Sequence, residues 1–192
     1  YYPMESDSIN SYVRFMKELL FDHVDIEPEN CHIPDGTLSK QEISAYCSDY
    51  ESKIDSLGGI DLQILGIGGN GHIGFNESGS LKNSRTRLVA LDYMTRVAAS
   101  SDFSGLANTP RTAITLGVKK IMEAKQVILM AWGERKSQVV KSSVEGEISS
   151  KIPASYLQEH EKVTFVLDKE ASLQLTRVQS PWLVEKVVWT DK

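Results

Sequence analysis

Residues 60–77 read Ile60-Asp61-Leu62-Gln63-Ile64-Leu65-Gly66-Ile67-Gly68-Gly69-Asn70-Gly71-His72-Ile73-Gly74-Phe75-Asn76-Glu77, and the change of pattern halfway along decides the fold. Ile60, Leu62, Ile64, Leu65 and Ile67 make a short apolar run bounded by glycines, which predicts a strand buried in a parallel sheet. Five glycines then fall between positions 66 and 74. Glycine serves where the backbone needs positive φ or must approach a ligand closely, so this density predicts a tight loop around something at the carboxyl end of the strand.

Two similar runs follow, 125–132 (KQVILMAW) and 162–168 (KVTFVLD). Gly133 to Ser143 and the segment around Ser155 to His160 read as helical, and Lys169 to Leu175 as another short helix. Upstream, the recurrence of Ile9, Tyr12, Val13, Phe15, Met16, Leu19 and Leu20 predicts a helix from Ser8 to His23, capped by Asp7 or Ser8. Pro34-Asp35-Gly36 marks a turn. A second helix begins at the reciprocal capping pair Ser39 and Glu42, continues through Ile43, Tyr46, Tyr50 and Ile54, and stops at Gly58-Gly59. Strands alternating with helices predict an α/β fold: a three-layer, open, mostly parallel sheet with helices on both faces, Rossmann-like, with ligand sites at strand carboxyl ends. No repeat, low-complexity tract or linker divides the chain.

The 192 residues carry 26 acidic and 21 basic side chains, a net charge of −5, with 41% hydrophobic and 24% charged residues, the composition of an ordinary folded domain. No Lys/Arg-rich run offers a footprint for a phosphate backbone, so nucleic-acid binding is not expected, whereas a small anion needs only local positive groups. Cys31 and Cys47 show neither paired spacing nor histidines at zinc-site spacing, which predicts no metal and a reducing, cytoplasmic setting. No apolar stretch approaches the ~18 residues of a membrane span, so no membrane partner is expected. A homo-oligomer is compatible with the sequence.

The chemistry is concentrated on the glycine loop, which carries Asn70, His72 and Glu77. Gly66, Gly68 and Gly71 satisfy the dinucleotide pattern, with Asp92 near the expected offset, but Gly74, Asn76, Gly79 and Asn83 leave no room for a crossover helix before Arg87. Nicotinamide binding is therefore not predicted. A histidine usually has a structural role; His72 differs from His23, His32 and His160 in sitting on a glycine loop at a strand end. Trp132, Trp182 and Trp189 read as core or interface residues rather than sugar platforms.

The run GIGGNGHIGFNESGS at 66–80 closely resembles the glucosamine-6-phosphate deaminase (isomerase) family. So do Ser84-Arg85-Thr86-Arg87, Thr95-Arg96-Val97-Ala98, Ala113-Ile114-Thr115-Leu116-Gly117-Val118 and Val144-Glu145-Gly146, in order over most of the chain. The resemblance implies conversion of glucosamine 6-phosphate, a small phosphorylated amino sugar, to fructose 6-phosphate and ammonia, without a metal or organic cofactor. It implies that His72 moves the ring-oxygen proton, that Glu77 orients His72, and that Asn70 stands where members carry Asp or Asn. It further implies substrate contacts from Gly68, Gly69 and Gly71 of the loop and a phosphate contact from Lys136.

The family's base for enolisation lies in an Asp-Glu-Tyr motif and its first phosphate loop lies farther upstream, so residues 1–192 are expected to be the carboxyl-terminal part of a single domain that lacks its amino-terminal portion. Three departures stand out. Ser101 occupies the place of a phosphate-binding arginine, and a hydroxyl cannot make that bidentate contact. Arg87 matches an allosteric arginine, but Val89 replaces its lysine partner, so activation by an acetylated sugar phosphate is not expected. Ser78 replaces a proline after Asn-Glu. Two rival readings stay open: a 6-phosphogluconolactonase-like hydrolase, against which Phe75-Asn76-Glu77 speaks, and a non-catalytic sugar-phosphate-binding domain, which Ser101 favours.

Overall fold

The three apolar runs pair as one parallel sheet in a computed structural model that describes residues 1–176. In chain order the elements are α1 (Tyr12–Leu19), α2 (Ile43–Ser56), β1 (Leu62–Gly66), β2 (Arg87–Ala90), α3 (Tyr93–Ala99), β3 (Thr112–Thr115), α4 (Val118–Met122), β4 (Gln126–Ala131), α5 (Ser137–Val144) and β5 (Val163–Leu167), with short 3₁₀ turns between them. The sheet order is β1-β4-β5, with Leu62 opposite Gln126 and Val127 opposite Val163. Crossovers through helical segments keep all three strands pointing the same way, which brings the loop after β1 and the turn after β4 to one end of the sheet.

Alternation along the strands separates two faces. Leu65, Val127, Leu129 and Ala131 point into a core closed by Ile121 of α4, Val139 and Val140 of α5, and Leu157 of the 3₁₀ segment Pro153–Glu159. Leu129 and Val127 are fully buried, and each such aliphatic side chain contributes ~1.5–3 kcal/mol by leaving water. The opposite face is less covered: Leu62 and Ile64 are 46% and 55% exposed, and Met130 and Val166 are also open. The first apolar run is thus buried on one side only; Leu62 borders a cavity of about 1520 Å³ that α1, residues 30–34 and α2 also line.

A second, two-stranded sheet pairs β2 with β3 antiparallel, Arg87 opposite Thr115, and Tyr2 extends it by a bridge to Thr112. Tyr2, Ile43 and Cys47 form a small core beneath it with Leu38, Leu88 and Ile114. Glu51 of α2 is buried and accepts hydrogen bonds from the Thr86 backbone N–H (2.6 Å) and Arg85 Nε (2.7 Å). Burial works to raise its carboxyl pKa, but these donors outweigh it and hold the group below the ordinary carboxylate range, so the ionised side chain fastens α2 to the start of β2.

Several element boundaries differ from expectation. The first helix starts at Tyr12, not Ser8, because Ser11 is the cap, its Oγ accepting from the Val13 N–H at 3.1 Å. Glu42 reaches back to the Ser39 N–H as expected, but the Ser39 hydroxyl donates to the same carboxylate instead of capping, and α2 begins only at Ile43. Residues 153–159 form a 3₁₀ helix where a helical segment is expected, whereas 169–175 form turns, with the Asp168 carboxylate accepting from the N–H groups of Ala171 and Gly133. Trp132 is 57% exposed and so is not a core residue, while Trp182 and Trp189 lie outside the described residues. Cys31 and Cys47 carry free thiols. No helix among the described residues is long and apolar enough to cross a membrane.

Candidate active site

Beyond β1, the chain folds back on itself through its own amides. Gly68 N–H donates to the His72 carbonyl and Gly71 N–H to the Gly68 carbonyl, each at 3.0 Å, so two of the three glycines expected at substrate have their amides engaged in closing the loop. Among the described residues the Gly69 N–H has no such backbone partner. Gly71 adopts φ +83°, and a Cβ there would meet Ile152 Cγ2 at 2.5 Å. Ile73 is fully buried and anchors the loop to the core. Asn76, also fully buried, donates to the carbonyls of Ile73 (3.0 Å) and Leu116 (2.8 Å) and accepts from Arg87 Nη1 (3.0 Å). Arg87 is thereby committed to structure, with Ser80 and the Arg85 carbonyl as its other partners.

On this frame His72 and Glu77 meet. His72 Nδ1 lies 3.1 Å from Glu77 Oε2, and the two side chains are 16% and 11% exposed. Asn70 Nδ2 donates to the same Oε2 at 2.8 Å, while Asn70 Oδ1 accepts from the His72 N–H at 3.3 Å. The Asp92 N–H donates to Glu77 Oε1 at 3.2 Å, and Thr95 Oγ1 stands 3.3 Å from His72 Nδ1. The three residues expected to act together are therefore one cluster. Nδ1 faces a carboxylate and so carries the ring proton, which leaves Nε2, without a protein partner among the described residues, as the free nitrogen.

Burial by itself would raise the Glu77 carboxyl, but hydrogen bonds from His72, Thr95 and Asn70 outweigh it and bring it down from 4.5 to about 2. Because the folded-state value lies below the unfolded one, this ionised cluster stabilises the fold above about 4.5, and the contribution is lost as pH falls through about 2. Glu77→Gln is accordingly expected to cost stability at pH 7, on the order of 2 kcal/mol, and much less at about pH 2 and below. Denaturant melts at both pH values check this; an equal loss at each would contradict the assigned charge state.

Lys136 follows β4 in a 3₁₀ turn, Glu134–Lys136, and borders the same cavity as Gly68, Gly69, Asn70 and His72. Its Nζ is half-buried and donates to the Ile67 carbonyl at 2.7 Å, and desolvation lowers its pKa. Arg135, which sequence reasoning did not single out, lines the cavity too, exposed and with no protein partner among the described residues. Ser101 is exposed, its hydroxyl turned to Asp102 at 3.4 Å. The sequence reading also missed an aromatic wall in which Tyr1 packs on Tyr12, Phe75 and Phe103 at centroid distances of 5.8, 5.2 and 5.0 Å. Asp92, noted as the acid of a dinucleotide pattern, instead caps α3 by accepting from the Met94 N–H at 2.8 Å. Among the described residues no cluster of His, Cys, Asp and Glu is arranged to hold a metal ion.

A sequence profile described as glucosamine-6-phosphate isomerases/6-phosphogluconolactonase matches residues 3–166. A Bacteroides thetaiotaomicron protein described as glucosamine-6-phosphate deaminase-like is 52% identical over 192 residues, the whole of this chain and 29% of that one. The glucosamine-6-phosphate deaminase of Halothermothrix orenii is 47% identical over 172 residues, 90% of this chain and 70% of the relative. Among solved structures, a monomeric glucosamine-6-phosphate deaminase is 40% identical with a TM-score of 0.87, over 91% of this chain and 72% of that chain. The 6-phosphogluconolactonase of Trypanosoma brucei, 22% identical with a TM-score of 0.69 over 91% of this chain and 72% of its own, shares the fold. The chain thus spans less than a third of the Bacteroides protein and about seven tenths of the other relatives.

Proposed function

Because the chain belongs to the glucosamine-6-phosphate isomerase/6-phosphogluconolactonase family, we propose that the protein containing it is a cytoplasmic sugar-phosphate aldose–ketose isomerase/deaminase that turns glucosamine 6-phosphate into fructose 6-phosphate and ammonia. The observation that carries this reading is the His72–Glu77 pair, 3.1 Å apart at Nδ1, with Nε2 unpartnered among the described residues beside a cavity that Lys136 also borders. Opening a cyclic sugar requires a proton to leave the anomeric hydroxyl and another to reach the ring oxygen as the ring carbon–oxygen bond breaks. A neutral imidazole can take up the first proton and hand it to the ring oxygen through one nitrogen. The ionised Glu77 stabilises the imidazolium formed between the two transfers, and Asn70 fixes that carboxylate by its 2.8 Å hydrogen bond.

The later proton transfer at carbon 2 needs a second base. We place it, as the family resemblance implies, in an amino-terminal portion of the same domain, of which residues 1–192 are the carboxyl-terminal part. The apolar side chains left open on β1, Leu62 and Ile64, support a domain with further chain against that face.

Ammonia release from glucosamine 6-phosphate by the full-length protein tests the reading directly. Hydrolysis of a phosphogluconolactone instead would turn it toward the other branch of the family, and tight phosphosugar binding without turnover would leave a binding domain. Lys136→Ala is expected to raise KM for glucosamine 6-phosphate by about 10–100-fold, the usual worth of a charge-assisted hydrogen bond, with a smaller effect on kcat. Steady-state kinetics would show otherwise if Lys136 served only the Ile67 carbonyl, for then KM would stay put.

A further inference from the structure

His72 is held by more than the carboxylate. Thr95, on the first turn of α3, brings Oγ1 to 3.3 Å from His72 Nδ1, the same ring nitrogen that lies 3.1 Å from Glu77 Oε2. We propose that Thr95 is a positioning residue for His72: with Glu77 it encloses Nδ1, keeps the ring proton there and presents Nε2 to the substrate. The inference rests on His72 being the proton carrier.

A hydroxyl has one proton to donate and two lone pairs. With a lone pair of Thr95 turned to the Nδ1 proton, that proton lies between two acceptors, Glu77 Oε2 at 3.1 Å and Thr95 Oγ1 at 3.3 Å. If the ring turned over, a carbon would replace Nδ1 between two oxygens and both contacts would be lost. The other tautomer would place a bare nitrogen lone pair against a carboxylate. Both alternatives are disfavoured by the same two oxygens. The placement of Thr95 is independent of His72, because α3 is fastened at its start: the Asp92 side chain caps it through Met94, and the Asp92 N–H donates to Glu77 Oε1 at 3.2 Å. The start of α3 thus touches the carboxylate through the Asp92 N–H and the imidazole through Thr95.

The test uses the full-length protein and the near-isosteric Thr95→Val, with Thr95→Ala as a second hydroxyl-free variant and Thr95→Ser as the conservative one. Nitrogen chemical shifts of the His72 ring, identified by their loss in His72→Gln, report the tautomer without any substrate. We expect the wild type to hold its proton at Nδ1, Val and Ala to shift toward a mixture, and Ser to restore the wild-type pattern. In turnover, kcat should fall about tenfold in Val and Ala with KM within about twofold, and recover in Ser. Unchanged ring shifts and kcat in both hydroxyl-free variants would overturn the proposal, as would a Ser variant as impaired as Val, which would mean that the γ-methyl packs rather than the hydroxyl positions. Should the protein fail to release ammonia at all, the functional reading falls, while the ring shifts still decide the role of Thr95.

Discussion

Gly68→Ala in the full-length protein is expected to lower deaminase turnover by about a hundredfold or more while leaving the fold in place. A Cβ at this position would lie 2.2 Å from His72 Cε1 and 2.4 Å from both ring nitrogens, distances no real side chain tolerates. Something has to move, and the imidazole is the atom group in the way. Its Nδ1 is fixed to Glu77 at 3.1 Å, so the ring can yield only by giving up that hydrogen bond or by carrying the loop with it. A displacement of about 1 Å in a reacting group commonly costs about two orders of magnitude. Gly66→Ala is the matching control: a Cβ there meets nothing within 4 Å, and turnover is expected to stay near wild type. Equal activity in the two variants would show that the close approach at Gly68 does not govern the reaction.

His72→Ala should reduce turnover further, by about 10²–10⁴-fold, the range typical of a lost general acid–base group. The expected loss lies in kcat, because His72 is tied to Glu77, Asn70 and Thr95, while the proposed phosphate contact is left to Lys136. Folding should survive, since the histidine side chain borders a cavity and the buried anchors of the loop are its neighbours Ile73 and Asn76. Near-wild-type turnover in a folded His72→Ala protein would remove this residue from the mechanism and favour the binding-domain reading.

Much of this arrangement was legible in the sequence because it depends on local pattern. The runs at 60–67, 125–132 and 162–168 are short and apolar, and each became a strand of the parallel sheet with boundaries within two residues. The glycine spacing announced a tight loop, and Asn70, His72 and Glu77 do converge on it. What was not legible depends on distant chain. Thr112–Thr115 is only four residues long and without marked alternation, and it becomes a strand by pairing with β2 and Tyr2. Thr95 is 23 positions from His72, and nothing in the sequence between them shows that α3 turns its first residues onto Glu77. Arg135 stands beside Lys136 among ordinary helix-forming residues, and only the direction of the turn after β4 brings it to the cavity.

Asn76 has a consequence beyond shaping the loop. Its amide joins three segments, the turn at Ile73, the end of β3 at Leu116 and Arg87 at the start of β2, with no solvent access to any of them at the amide itself. A buried group so fully satisfied leaves no inexpensive partial opening, since freeing any one partner strands a polar atom away from water. The glycine loop and the antiparallel ribbon are therefore expected to be protected, and to unfold locally, as one cooperative unit.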